Sequence, residues 1–132
     1  MTTITSVYTG HGQTKMTHGP TGHSITTDLP PDNGGQGTTF SPTDLLAGAF
    51  ASCVLTIMSK LAERAGEDLA GARIDIDKIM TANPRRVGEF ILHITFPPHF
   101  TDEQKQRYQS VVHACPVHNT LSKDVKITVH IQ

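Results

Sequence analysis

The chain has 132 residues, 36% of them hydrophobic and 17% charged, with a net charge of −1. That length fits one folded domain with a real core, and the composition excludes a disordered chain. Its eleven Lys and Arg residues are scattered and form no basic run, which argues against a nucleic-acid partner.

Met1 to Tyr8 lacks a basic and an apolar region of the kind a secretory signal carries. Ile4 to Tyr8, Lys15 to His18 and His23 to Asp28 are predicted strands. Gly10-His11-Gly12 and Gly19-Pro20-Thr21-Gly22 supply the turns of an antiparallel meander. Leu29 to Thr39 contains Pro-Pro, Asp-Asn and Gly-Gly, the composition of an exposed loop.

A helix start follows. Ser41 is a suitable N-cap, Pro42 suits the first helical position, and Asp44 stands where a capping-box acid belongs. The helix is expected to run to about Ala65 and stop at Gly66. Leu46, Phe50, Cys53 or Val54, Ile57, Leu61 and Ala65 form one apolar stripe. Leu45, Ala47, Ala49, Ala51 and Leu55 leave little polar surface on its first half. Such a helix needs cover on two sides, by a sheet and by a second subunit or helix. The longest uncharged apolar stretch, Leu45 to Ser59, is shorter than the ~20 residues a membrane span needs. No membrane association is expected, and the default location is the cytoplasm. Two cysteines there are inert core thiols or a working pair rather than a permanent cross-link.

Arg73 to Met80 alternates as a strand does, and Gly88 to Phe96 is a second strand ended by Pro97-Pro98. Between them, Ala82-Asn83-Pro84 breaks the chain. Thr101-Asp102-Glu103-Gln104 is a capping-box start for a helix through about His113. Cys115-Pro116-Val117-His118 opens a short helical turn, where the helix dipole favours a thiolate on Cys115. Val125 to Ile131 is the last strand.

By spacing alone, Cys53 and Cys115 read as small core residues, and Phe40 and Phe50 as core packing. Asp44 reads as a helix-start acid. His113, Cys115 and His118 could ligate zinc together with Cys53, but their spacing fits no strong zinc signature, so no metal or cofactor is expected.

Ser41-Pro42-Thr43-Asp44-Leu45-Leu46-Ala47-Gly48-Ala49-Phe50-Ala51-Ser52-Cys53 closely resembles the SPTELLLAALGSC signature of the OsmC/Ohr-like family. Ala62-Glu63-Arg64-Ala65-Gly66 is similar to its AERKG helix end, and Cys115 to Leu121 is similar to its CPVHRTL motif. The resemblance covers most of the chain and is closer to the subgroup with SPTE than to the hydroperoxide resistance proteins. It implies an α+β, OsmC-like fold, with residues 1–132 as a single domain. It also implies an intertwined homodimer whose antiparallel sheets wrap around central helices. Many members reduce organic hydroperoxides. By the resemblance, Cys53 would be the peroxidatic thiol, Cys115 the resolving thiol, and an external dithiol the reductant.

Hydroperoxide-reducing members carry an Arg on the N-terminal strands and a Glu ten residues before the first cysteine. Here the first Arg is Arg64, and Thr43 stands ten residues before Cys53. Asp44, nine before it, would face the opposite side of a continuous helix at ~100° per residue. Lys15, His11, His18 and His23 are the basic groups on the early strands. Two function classes follow: a thiol peroxidase, or a non-peroxidase binding or redox-sensing dimer that takes some other small hydrophobic ligand.

Overall fold

The computed structural model describes residues 1–132, which form two compact units, Met1–Leu46 and Ala47–Gln132. In the first unit, strands β1 (Ile4–Gly10), β2 (Gln13–His18) and β3 (Ser24–Asp28) form an antiparallel sheet in that order. The turn between β1 and β2 places Gly10, His11 and Gly12 at positive φ. His11 therefore holds a conformation that glycine adopts more easily.

Few side chains are buried in this unit; Thr27, Asp28 and Ser41 are the polar ones. Asp28 organises the loop that follows it. Its Oδ2 accepts hydrogen bonds from the Thr38 amide at 3.0 Å and the Thr38 hydroxyl at 2.6 Å, and its own amide donates to the Phe40 carbonyl at 3.1 Å. The Thr38 hydroxyl and then the Thr38 amide hold the Asp28 carboxyl below its usual pKa. Gly35 is required within the loop, since a Cβ there would lie 1.9 Å from the Leu29 carbonyl oxygen.

Helix α1 (Pro42–Ala65) begins and ends where the sequence places it. The Ser41 hydroxyl accepts from the Asp44 amide at 3.1 Å, and the Asp44 carboxylate accepts from the Ser41 amide at 2.9 Å. This reciprocal pair is the capping box. At the other end Gly66 adopts φ +66, the Glu67 amide donates to the Ala62 carbonyl at 2.9 Å, and the Gly66 amide donates to Glu63 at 3.4 Å. These two bonds close the helix as a Schellman turn.

The buried face of α1 is Ala47, Phe50, Ala51, Val54, Met58 and Ala62. It is rotated by about one position from the predicted stripe, so Leu46 and Ala65 are exposed while Cys53, Ile57 and Leu61 are half-buried. Small Ala47, Ala51 and Ala62 bring the helix close to its support and leave the larger Leu46 outward. With 24 residues, α1 is long and apolar enough to cross a membrane by length and composition, and a third of its most apolar stretch is buried.

In the second unit, β4 (Arg73–Thr81) pairs antiparallel with β5 (Arg86–Thr95), and β6 (Lys126–Ile131) pairs with β5 in parallel. The expectation of purely antiparallel sheets is therefore corrected for this sheet. The chain between β5 and β6 is long enough to return to the starting end before pairing, which a tight hairpin cannot do. It contains α2 (Asp102–Gln109), a 3₁₀ turn (Ser110–Ala114) and α3 (Pro116–Thr120). The predicted single helix to His113 thus tightens after Gln109. Cys115 precedes a proline and is extended (φ −76, ψ 146), so the helical path must close by Ala114.

The core packs Phe50, Val54 and Met58 with Phe90, Leu92 and Ile94, all fully buried. Phe50 meets Phe90 edge-on at 5.6 Å between ring centroids. Burial of each such side chain contributes ~1.5–3 kcal/mol. A second aromatic group, Phe96, Phe100 and Tyr108, joins α2 to the sheet.

The buried Tyr108 hydroxyl donates to the Glu67 carboxylate, and Arg107 pairs with the same carboxylate. Those bonds, Tyr108 first, lower the Glu67 pKa to about 2 from 4.5. Burial, followed by Glu67, pushes the Tyr108 phenol up to about 12. A lowered carboxyl pKa contributes stability above its unfolded value and loses it as pH falls through the folded value. We therefore predict that stability declines between about pH 4.5 and about pH 2 as Glu67 protonates. Tyr108→Phe should lower the unfolding free energy at pH 7 by ~1–3 kcal/mol. It should also flatten the acid decline, as measured by urea denaturation at pH 7 and pH 3.

Candidate functional site

Cys115 sits at the N-cap of α3, with Pro116 in the first helical position. Its Sγ accepts a hydrogen bond from the His118 amide at 3.3 Å. The side chain is fully buried within the core of the second unit. Cys53 lies on α1 one residue before buried Val54, at the edge of the packed face, and is half-buried against the same core. Both thiols are free, both belong to or pack against the same core, and Cys53 lies near enough to act on the ionisation of Cys115. The two sequence-predicted cysteines are thus brought into one core, although they lie far apart in the chain.

Burial pushes the Cys115 thiol above its ordinary pKa, and neighbouring Cys53 adds to that rise. The amides of His118 and Val117 pull the other way and do not prevail. The expectation that the helix start favours a thiolate on Cys115 is therefore corrected. Desolvation acts on the whole charge, whereas a helix of five residues aligns few peptide dipoles.

The His118 ring stands 6.0 Å from Phe50 and 4.9 Å from His113 between centroids. Its Nε2 lies 3.3 Å from His113 Nδ1, and its own Nδ1 is buried with no hydrogen-bond partner. Cys53, His113, Cys115 and His118 have zinc-ligand chemistry, yet no three His, Cys, Asp or Glu side chains are grouped to hold a metal ion.

The other residues singled out in the sequence lie as follows. Asp44 is engaged in the α1 cap. Lys15 is exposed on β2, and His18 Nδ1 meets the Thr21 hydroxyl at 2.7 Å. Phe50 is core, as packing predicts, but Phe40 is 60% exposed. Phe40 instead lines a shallow depression of about 340 Å³ with Ile25, Thr39 and Leu45. Sequence reasoning did not find the tie between Glu67 and Tyr108, 41 positions apart. Nor did it find the His118 amide as the donor to Cys115, although a Cys-Pro at a helix start with His three positions on is a readable cap signal.

A family model described as OsmC-like protein matches residues 35–130. No curated protein matches the chain. The structure of a Psychrobacter arcticus 273-4 protein, described as osmotic stress induced and a detoxification response protein, aligns with a TM-score of 0.94 at 39% identity. That alignment covers 100% of this chain and 96% of the other. An OsmC-like protein from Mycoplasma pneumoniae aligns at 0.84 with 21% identity, covering 100% and 96%. An organic hydroperoxide resistance protein OsmC from Legionella pneumophila aligns at 0.81 with 17% identity, also covering 100% and 96%. The latter two show a shared fold.

The difference in exposure between the two thiols sets an order of reaction. Iodoacetamide at pH 8 should alkylate Cys53 first, with Cys115 modified at least tenfold more slowly until denaturant is added. Peptide mass mapping over time measures both rates, and equal rates would contradict the burial of Cys115.

Proposed function

The chain belongs to the OsmC-like protein family, and on that premise we propose that it is a redox protein that reduces organic hydroperoxides through Cys53 and Cys115. One observation carries the assignment of roles. Cys53 is half-buried and can meet a substrate, whereas Cys115 is fully buried in the core against which Cys53 packs. The chemistry balances in three steps. The Cys53 thiolate attacks the peroxide, the O–O bond breaks, and the leaving alkoxide takes a proton to become an alcohol. Cys53 is left as a sulfenic acid. The Cys115 thiol then displaces water from that sulfenic acid to form a disulfide, and an external dithiol reduces the disulfide and is itself oxidised. Such a pair is kept reduced between cycles in the cytoplasm, where this reading places the chain.

In this reading both compact units form one domain, and the protein acts as an intertwined homodimer with its sheets around central helices. The support is the outward face of α1, where Leu46, Gly48 and Ala49 are exposed, together with exposed Ile4, Val7, Tyr8, Ile25 and Phe40 in the first unit. Leaving such apolar surface in water is unfavourable by ~25 cal/mol per Å². Light scattering at micromolar concentration should give about twice the 14.3 kDa chain mass; a monodisperse folded monomer would refute the dimer.

A second reading, a non-peroxidase binding or redox-sensing dimer, is favoured by the absence of any Arg before Arg64 and by Thr43 ten residues before Cys53. One assay separates the two. Pure protein should consume an alkyl hydroperoxide with dihydrolipoamide or thioredoxin as reductant. Cys53→Ser should abolish turnover, and Cys115→Ser should stop after one cycle with a dimedone-reactive sulfenic acid on Cys53. If the wild type forms the disulfide without sustained peroxide consumption, the sensing reading holds; if peroxide leaves both thiols free, neither redox reading survives.

A further inference from the structure

Between α3 and β6 the second unit holds a pocket of about 350 Å³ that the redox cycle does not use. Its apolar lining is Leu121, Val125 and Ile127, each half-buried and packed against the core. Its polar lining is Asn119, Ser122 and Lys123, all exposed, with His118 completing the wall. Lys123 carries the only fixed charge among these residues. The adjacent acid, Asp124, does not line the pocket, but its carboxylate accepts from the Ser122 hydroxyl at 3.5 Å and its amide donates to the same hydroxyl at 3.3 Å.

This combination defines a ligand class. Three aliphatic side chains suit a short hydrocarbon body. An ammonium beside the Asn119 amide suits an anionic head, since charge-assisted hydrogen bonds to a carboxylate are the strong ones. A cationic amphiphile would meet the like charge of Lys123, and a neutral one would gain no charge-assisted bond there. The volume lies at the low end of the ~300–1,000 Å³ typical of ligand pockets, which fits a small molecule rather than a long chain. We propose that this pocket binds a short aliphatic carboxylate, its chain on Leu121, Val125 and Ile127 and its head on Lys123. The pocket borders the redox pair, because His118 lines it while the His118 amide caps Cys115.

The proposal does not depend on peroxide chemistry, so it is tested on full-length protein with and without Cys53→Ser. Titration of the ¹⁵N-labelled chain with sodium hexanoate should shift the amides of Asn119, Ser122, Lys123, Val125 and Ile127 saturably, and equally in both proteins. Hexanol and hexylamine should bind at least tenfold more weakly. Lys123→Glu should weaken hexanoate at least tenfold and improve hexylamine. Absence of saturable shifts, as when a second copy fills the pocket, would overturn the proposal. So would hexanol binding as tightly as hexanoate, or an unchanged affinity in Lys123→Glu.

Discussion

A three-stranded sheet has one apolar face to offer, and helix α1 can lay only one side against it. The side it commits contains Phe50, Val54 and Met58, which pack with Phe90, Leu92 and Ile94. The placement of Cys53 follows. Preceding Val54 by one residue, it falls at the margin of the packed side, close enough to touch the core and open enough to be half-buried. A position in the middle of the stripe would have sealed it, and one on the far side would have separated it from Cys115. The end of the same helix positions the other half of the pair. Gly66 turns the chain through a left-handed residue, Glu67 then meets Tyr108 and Arg107, and α2 is fixed with the segment that leads to Cys115.

Opposing effects act on the Cys115 thiol. The amides of His118 and Val117 favour its ionised form, while burial and Cys53 favour the neutral one, and burial is the largest. A neutral thiol suits the part proposed for it. It has to act only after its neighbour has been oxidised. The short helix α3 therefore serves mainly to aim the sulfur, since its N-cap geometry fixes Sγ on the His118 amide.

The first unit is stabilised differently. Its strands bury almost nothing, and its order comes from hydrogen bonding, with the Asp28 carboxylate gathering the amide and hydroxyl of Thr38 and closing the loop around Gly35. A sheet this exposed, with Ile4, Val7, Tyr8 and Ile25 in solvent, has the surface that the proposed partner subunit would cover.

Much of this was legible along the chain because the signals are local. The Ser41–Asp44 capping box, the stop at Gly66, the Thr101–Gln104 box and the Cys-Pro helix start depend on residues within a few positions of each other, and backbone hydrogen bonding imposes them wherever they occur. The two cysteine motifs are equally local, which is why they marked the family. What the tertiary structure alone decided involves distant residues. Periodicity located an apolar stripe on α1 but placed it one position off, because the small side chains that permit close approach set the contact face. The parallel pairing of β6 depends on the path of α2 and α3, which strand alternation does not encode. The neutral state of Cys115 depends on how much water the assembled core removes from it, and desolvation is a property of everything packed around a group, not of its neighbours in sequence.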